Sequence, residues 1–342
     1  MASLSMLEDT EHVQEKVWNT VRIAIGCLGF LGAALNCFVL HLLKYAKFGS
    51  STSKRLLCNQ CIYDTFTCVM ILLAKITGLY VLTSNHILNI ILCHLWSGDS
   101  LFWFGYNLGT NNLIFVSLDR LMAVYSPIKY KTFKQKLLLV CVVYLIFVEV
   151  VLYVPVVFYR RFENGTCKWT YATDSDWVPL FYRVYSYISL ILSYMFPALL
   201  TIIAHFLIVI KILHNRPQGQ PLEKPKICRL VLSTVILTIL CAVLRLPDAY
   251  ACVNNITDYV FFVPGEIDHQ IGIICVTLCY LVHPGIVLGM IPSLQQLVRE
   301  NFQQTTQVCR KLFGKLLERH SGGGRGQDDQ RSTNHLENNS TK

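Results

Sequence analysis

The sequence predicts an all-α membrane protein, a bundle of seven transmembrane helices followed by an amphipathic eighth helix. Three observations carry this expectation. Of 342 residues, 53% are hydrophobic and only 15% are charged, against about 25% charged in an ordinary soluble domain. The apolar residues gather in seven runs, at 21–43, 56–82, 95–118, 137–157, 184–210, 230–252 and 270–291. Each is near the roughly 20 residues that carry a helix across a hydrocarbon core of about 30 Å. The Lys and Arg residues fall between the runs, in short clusters and mostly on one side.

Those clusters set the orientation. The connections around 44–55, 120–136 and 211–229 hold 14 Lys/Arg (4, 5 and 5) against two nearby acids, Asp119 and Glu223. The connections 80–94, 158–183 and 252–268 hold four Lys/Arg and six acids. The first set is expected in the cytoplasm, with the N-terminus outside and the C-terminus inside a plasma-membrane protein. The net charge of +9 is spread too widely to mark a nucleic-acid partner.

Residues 1–20, polar and acidic ("MLEDTEHVQEK"), form the expected extracellular N-terminus. No cleavable signal precedes the first run, so that run is expected to act as the targeting signal. Residues 21–292 form the membrane domain. Residues 293–320 follow as an amphipathic helix and juxtamembrane segment. Leu294, Leu297 and Phe302 share a face there, and Arg299, Arg310, Lys311 and Lys315 meet anionic membrane lipid. Cys309 is a palmitoylation candidate. Residues 321–342 are Gly-rich and polar and are expected to be a disordered cytoplasmic tail.

Most of the 14 cysteines, Cys241 and Cys279 among them, lie in apolar runs, where a free thiol acts as a small hydrophobe. No Cys/His spacing suggests a metal, and no cofactor is expected. Cys93 and Cys167 flank outer connections and form a candidate disulfide. The sequons at Asn164 and Asn255 also fall in outer connections, whereas those at Asn338 and Asn339 would face inward.

Charge at membrane depth is a functional hypothesis by default. Here it comprises Asp64, Lys75, Asp99, the Asp119-Arg120 pair, Glu149, Arg245 and Asp248. The third run ends "SLDRLMAVYSPIKY", which resembles the "DRYxAIxxPLxY" signature of rhodopsin-like (class A) G-protein-coupled receptors. Asp119, Arg120, Val124, Ser126, Pro127 and Tyr130 fall at matching spacings, while Leu121 replaces the tyrosine. Asn36 in "GAALN", Asp64 five residues after Asn59, Pro197, Pro247 and Pro284 in "HPGIV" follow in the family's order. The resemblance covers roughly residues 20–305. It implies a receptor, not an enzyme, that couples an extracellular ligand to a heterotrimeric G protein.

The inner motif also has a direct physical reading. A guanidinium at the inner mouth of a bundle needs a partner, and Asp119 is the neighbouring carboxylate for Arg120. Exchange of that partner for a helix inserted from the cytosol gives a two-state element. The chain departs from the family at His283 and Val287, which replace the Asn and Tyr of "NPxxY", at His205 and at Gly109. Sodium at Asp64 is therefore not expected. His283 is instead expected to pair with Asp64, a titratable contact that makes signalling pH-sensitive.

Arg245 in "LRLP" takes the place of the tryptophan in the family's "CWxP". Two readings stay open. It pairs internally with Asp248, Asp99 or Glu149, or it meets an acidic or carbonyl-rich ligand together with Lys75. Phe102 stands where amine receptors carry an Asp, one turn from Asp99. The ligand candidates are thus Lys75, Asp99, Phe102, Arg245, Asp248 and His269. Aromatic outer connections, with Trp169, Tyr171, Trp177, Tyr182, Tyr259, Phe261 and Phe262, favour a short peptide over a biogenic amine or other small molecule. A transporter or channel would show internal repeats, and none is present.

Overall fold

The computed structural model describes residues 2–46, 50–78, 81–158, 160–169, 177–214, 235–236, 239–257 and 267–322. The helices are α1 (Ala2–Tyr45), α2 (Ser51–Thr77), α3 (His86–Leu95), α4 (Ser100–Tyr125), α5 (Pro127–Phe158), α6 (Trp177–Ser189), α7 (Phe196–His214), α8 (Leu246–Thr257), α9 (Ile267–Met290) and α10 (Pro292–Gly322). The chain divides into two units, Met1–Pro292 and Ser293–Lys342.

Six described stretches are long and apolar enough to cross a membrane: Lys16–Tyr45, Ser51–Thr77, His86–Tyr125, Pro127–Pro155, Arg183–Ile212 and His269–Gly289. They coincide with six of the seven apolar runs. The remaining run, 230–252, is described only at 235–236 and from 239 onward, where residues 239–244 and α8 are helical. The tail from 323, with Asn338 and Asn339, lies outside the described residues.

Three local expectations need correction. The connection 80–94 contains α3, whose N-terminus is capped by the Asn85 side chain accepting from the N–H groups of Ile87 and Leu88. The third run is not one helix from 95. Gly98 and Asp99, with φ of 63° and 58°, interrupt it before α4 begins. The fold is also not purely helical. The strands β1 (Arg160–Glu163) and β2 (Thr166–Trp169) pair antiparallel, with Phe162 opposite Cys167. Asn164 and Gly165 both have positive φ, 51° and 76°, as a two-residue hairpin turn with matching twist requires.

α1 packs on α2 and α9, α2 packs on α4, and α4 packs on α5 and α7. One buried cluster joins Ile25, Ile71, Phe102, Tyr106, Ile273 and Tyr280. A second joins Leu56, Ile114, Phe115, Leu137, Cys141 and Leu145. The approach of α4 to α2 needs glycine. A Cβ at Gly109 would lie 3.2 Å from Asp64 Oδ1 and 3.3 Å from Gln60 Nε2, and one at Gly105 would collide with Thr67 and Phe66. Small residues at such a crossing let backbones close in where lipid offers no hydrophobic drive.

The prolines act where expected of residues without an N–H. A π turn over Leu190–Met195 precedes Pro197, with the Phe196 N–H reaching Ile191 O. The sixth run turns at Arg245, two residues before Pro247. Pro284 lies inside α9.

Candidate functional site

Polar groups inside the bundle fall at three levels, each assembled from several helices.

At the first level, Asp119 on α4 is only 1% exposed. Its Oδ2 accepts from Ser53 Oγ in the first turn of α2, and its Oδ1 accepts from Tyr130 O–H in the first turn of α5. Ser50 Oγ lies 2.8 Å from the same Tyr130 oxygen. The Asp119–Arg120 ion pair expected from the sequence does not form. Two hydroxyls occupy the carboxylate, and Arg120, half-buried, makes no ion pair among the described residues. Pro127 opens α5 and so sets Tyr130 beneath Asp119. Side chains adjacent on a helix point apart, whereas Ser53 and Tyr130 reach the carboxylate from α2 and α5, so the hydroxyls and not the neighbouring guanidinium take its two oxygens.

At the middle level, His283 Nδ1 lies 2.6 Å from Asp64 Oδ2, the pairing the sequence suggests. Gln60 Nε2 donates to Asp64 Oδ1 at 2.8 Å. Asn112 Nδ2 donates to Gln60 Oε1 at 2.8 Å and to Leu56 O at 3.1 Å. Asn36 Nδ2 donates to Tyr280 O at 3.0 Å, which ties α1 to α9. The network thus runs from α4 through α2 to α9. Each interhelical bond of this kind is worth only about 0.6–2 kcal/mol, so it is their connection that fixes the relative positions of the helices.

At the third level, Lys75 Nζ lies 3.6 Å from Asp99 Oδ2 and donates to Gln270 Oε1 at 3.1 Å. His269 Nε2 lies 3.9 Å from the same Asp99 oxygen. Neither Asp99 oxygen has a hydrogen-bond partner among the described residues. The His269 ring stacks on Trp103 at 6.1 Å between centroids, and Trp103 meets Phe102 and Tyr106 edge-on. The Arg245 guanidinium stands 5.2 Å over the Tyr106 ring. The expected pairing of Arg245 with Asp99 or Glu149 does not occur. Asp99 is taken by Lys75, and both Glu149 oxygens are buried without a hydrogen-bond partner among the described residues. The Asp248 side chain lies outside the described residues.

The Cys93–Cys167 disulfide joins the end of α3 to the hairpin. Arg160 of β1 donates to Ser97 O beneath it. Asn164 is exposed at the hairpin tip. Asn255, expected in a loop, falls instead in the last turn of α8; its side chain, like that of Cys309 in α10, lies outside the described residues. The aromatics Tyr171, Tyr259, Phe261 and Phe262 and the cytoplasmic connection 215–229 lie outside them altogether.

Sequence reasoning missed Ser53, Gln60, Asn112 and Gln270. Gln60 was legible in part, since it stands one helical turn before Asp64. Ser53 was not, because it meets Asp119 across 66 residues. Cys241 and Cys279, read as free thiols, are instead bridged across two helices.

The comparison with known proteins agrees with this geometry. A family model described as 7 transmembrane receptor (rhodopsin family) matches residues 35–305. Comparison with curated protein sequences returns no match. The matched span runs from the Asn36 contact on α1, through Asp64, Asp119 and His283, into α10, and by it the chain belongs to the rhodopsin family of seven-transmembrane receptors.

Proposed function

We propose that the chain transduces an extracellular ligand, a short peptide, to an intracellular heterotrimeric G protein. One observation carries the reading: Asp119 is held by Ser53 and Tyr130, which leaves the Arg120 guanidinium without a carboxylate partner among the described residues. A guanidinium so placed is what a helix presenting backbone carbonyls from the cytosol would engage. The basic connections around Lys129 and Lys211 would form the docking surface, with the Asp119 end of the bundle cytoplasmic and the Asp99 end outside. In this reading residues 293–320 lie along the inner membrane surface as the amphipathic eighth helix, and 321–342 form a cytoplasmic tail.

Lys75, Asp99, Phe102, His269, Arg245 and Asp248 would line the ligand side. An amine ligand is disfavoured because its cation would compete with the Lys75 ammonium already set 3.6 Å from Asp99. Arg245, by contrast, has no carboxylate among the described residues, which suits an acidic or carbonyl-rich peptide end.

A peptide library screened on cells expressing the chain, with calcium and cAMP readouts, tests this. A peptide agonist whose response is lost in Arg120→Ala at equal surface expression supports the reading. An agonist response unchanged by Arg120→Ala overturns it.

A further inference from the structure

The bundle carries a second polar feature that the signalling account does not use. Where α1 meets the end of α2, a pocket of about 260 Å³ is lined by residues that include Trp18, Asn19, Arg22, Lys75 and Gln270. It shares Asn19, Arg22 and Lys75 with a groove of about 820 Å³ between the same two helices. That groove runs away from the rim over Gly26, Cys27, Phe30, Leu31 and Leu72. Among the described residues, no Asp or Glu lines either space.

The chemistry of the two ends differs sharply. At the rim, Arg22 donates through Nε to Lys75 O and through Nη2 to Ile76 O at 2.9 Å. These are the carbonyls that end α2, where a cation is favoured. The bonds hold the guanidinium by two of its three nitrogens. Lys75 is drawn inward toward Asp99 and Gln270, whereas Arg22 has no ion pair among the described residues. Trp18, half-buried beside it, has the amphipathic ring that settles at headgroup level. Below, Gly26 supplies no side chain, and a Cβ there would only touch Leu72 and Lys75 at 3.8 and 3.9 Å. A groove that is cationic at its mouth and apolar along its length is complementary to an anionic amphiphile.

We propose that the α1–α2 groove binds a membrane lipid with an anionic headgroup, its phosphate on Arg22 and its acyl chain along Gly26, Phe30 and Leu72. The guanidinium fork matches phosphate oxygens in a way an ammonium does not, so the site selects for headgroup charge and not merely for hydrocarbon. It shares Lys75 and Gln270 with the polar cluster around Asp99 and otherwise uses different residues.

The test uses the full chain purified in detergent and native mass spectrometry. The probes are oleoyl lysophosphatidic acid and oleoyl lysophosphatidylcholine, which differ in headgroup charge and share one chain. The wild-type chain should retain the anionic probe at least several-fold better. Arg22→Gln should abolish that preference, Arg22→Lys should restore part of it, and Gly26→Leu should reduce retention of both probes. Equal retention by the wild type, or a preference unchanged in Arg22→Gln, overturns the proposal. A second measurement needs no variant: a fatty acid carrying a photoreactive diazirine near its methyl end should label peptides spanning 26–31 and 71–76. Labelling confined to other helices would equally overturn it.

Discussion

Two aspartates stand toward the two ends of one helix, Asp99 just before α4 and Asp119 in its second half, and they are held in opposite ways. Asp119 is gripped by two neutral hydroxyls, Ser53 and Tyr130, each within hydrogen-bond reach of a different oxygen. Asp99 has no hydrogen bond among the described residues and instead faces Lys75 at 3.6 Å and His269 at 3.9 Å. Both carboxylates are buried. The first contact is short, directional and saturated. The second is long, carried by charge at a distance, and leaves lone pairs unused. A saturated carboxylate resists exchange, whereas an unsaturated ion pair can trade its partner for a ligand group without first breaking a bond. Under the proposed function, this contrast would make the Asp119 end the one that holds a conformation and the Asp99 end the one that senses.

The largest expected effect breaks the sensing end. Asp99→Ala leaves the Lys75 ammonium buried without its counter-charge, which costs about 3–5 kcal/mol when one partner of a buried pair is removed. Thermal unfolding in detergent should drop sharply, and Lys75→Met in the same background should recover much of the loss. If Asp99→Ala unfolds like wild type, the pair is not the anchor described here.

A smaller effect is expected at the holding end. Tyr130→Phe removes one bond to a charged acceptor, worth about 1.5–3 kcal/mol. It also offers Asp119 Oδ1 to Arg120, so ligand-free nucleotide exchange should fall relative to wild type. A rise in exchange would mean that Tyr130 restrains the active state and does not support it.

Smaller again is Gly109→Ala, which presses a methyl group on Asp64 and Gln60 between the two ends. Overpacking of this kind costs about 1–3 kcal/mol, read as a lowered melting point with both ends intact. His283→Asn replaces the ring that meets Asp64 Oδ2 at 2.6 Å with a shorter amide and so weakens the tie between α9 and α2. A modestly lowered melting point is expected, and an unchanged one would mean that the contact does not hold the two helices together. The least effect is expected from Asn164→Gln at the hairpin tip, which should change only the glycan-dependent mobility on a gel.

Much of this was readable in the sequence, and the parts that were not share a cause. Apolar run length places the spans because a bilayer sets the length of hydrocarbon a helix must cover. It does not mark helix ends: α1 starts at Ala2 and α5 at Pro127, well outside their runs, since polar helix formers extend a helix freely in water. The hairpin at 160–169 was signalled by Asn164-Gly165, a strong two-residue turn, but the same residues also read as a sequon. Asp64 with His283 was legible because two unusual residues stand at positions the resemblance places together. Ser53 with Asp119, Lys75 with Gln270 and the Cys241–Cys279 bridge were not. Each joins residue types common in any membrane helix across long separations, and only the packing of helices brings them together.

The proposal at the centre of this account is that Arg120, which Asp119 does not pair with, is the group a G protein would engage. Ligand-free exchange of a GTP analogue, in membranes holding heterotrimeric G proteins and equal amounts of receptor, tests it most directly. The account predicts exchange above empty membranes for the wild-type chain, and a fall to the empty-membrane rate for Arg120→Ala. Exchange in Arg120→Ala equal to that of the wild type would contradict it.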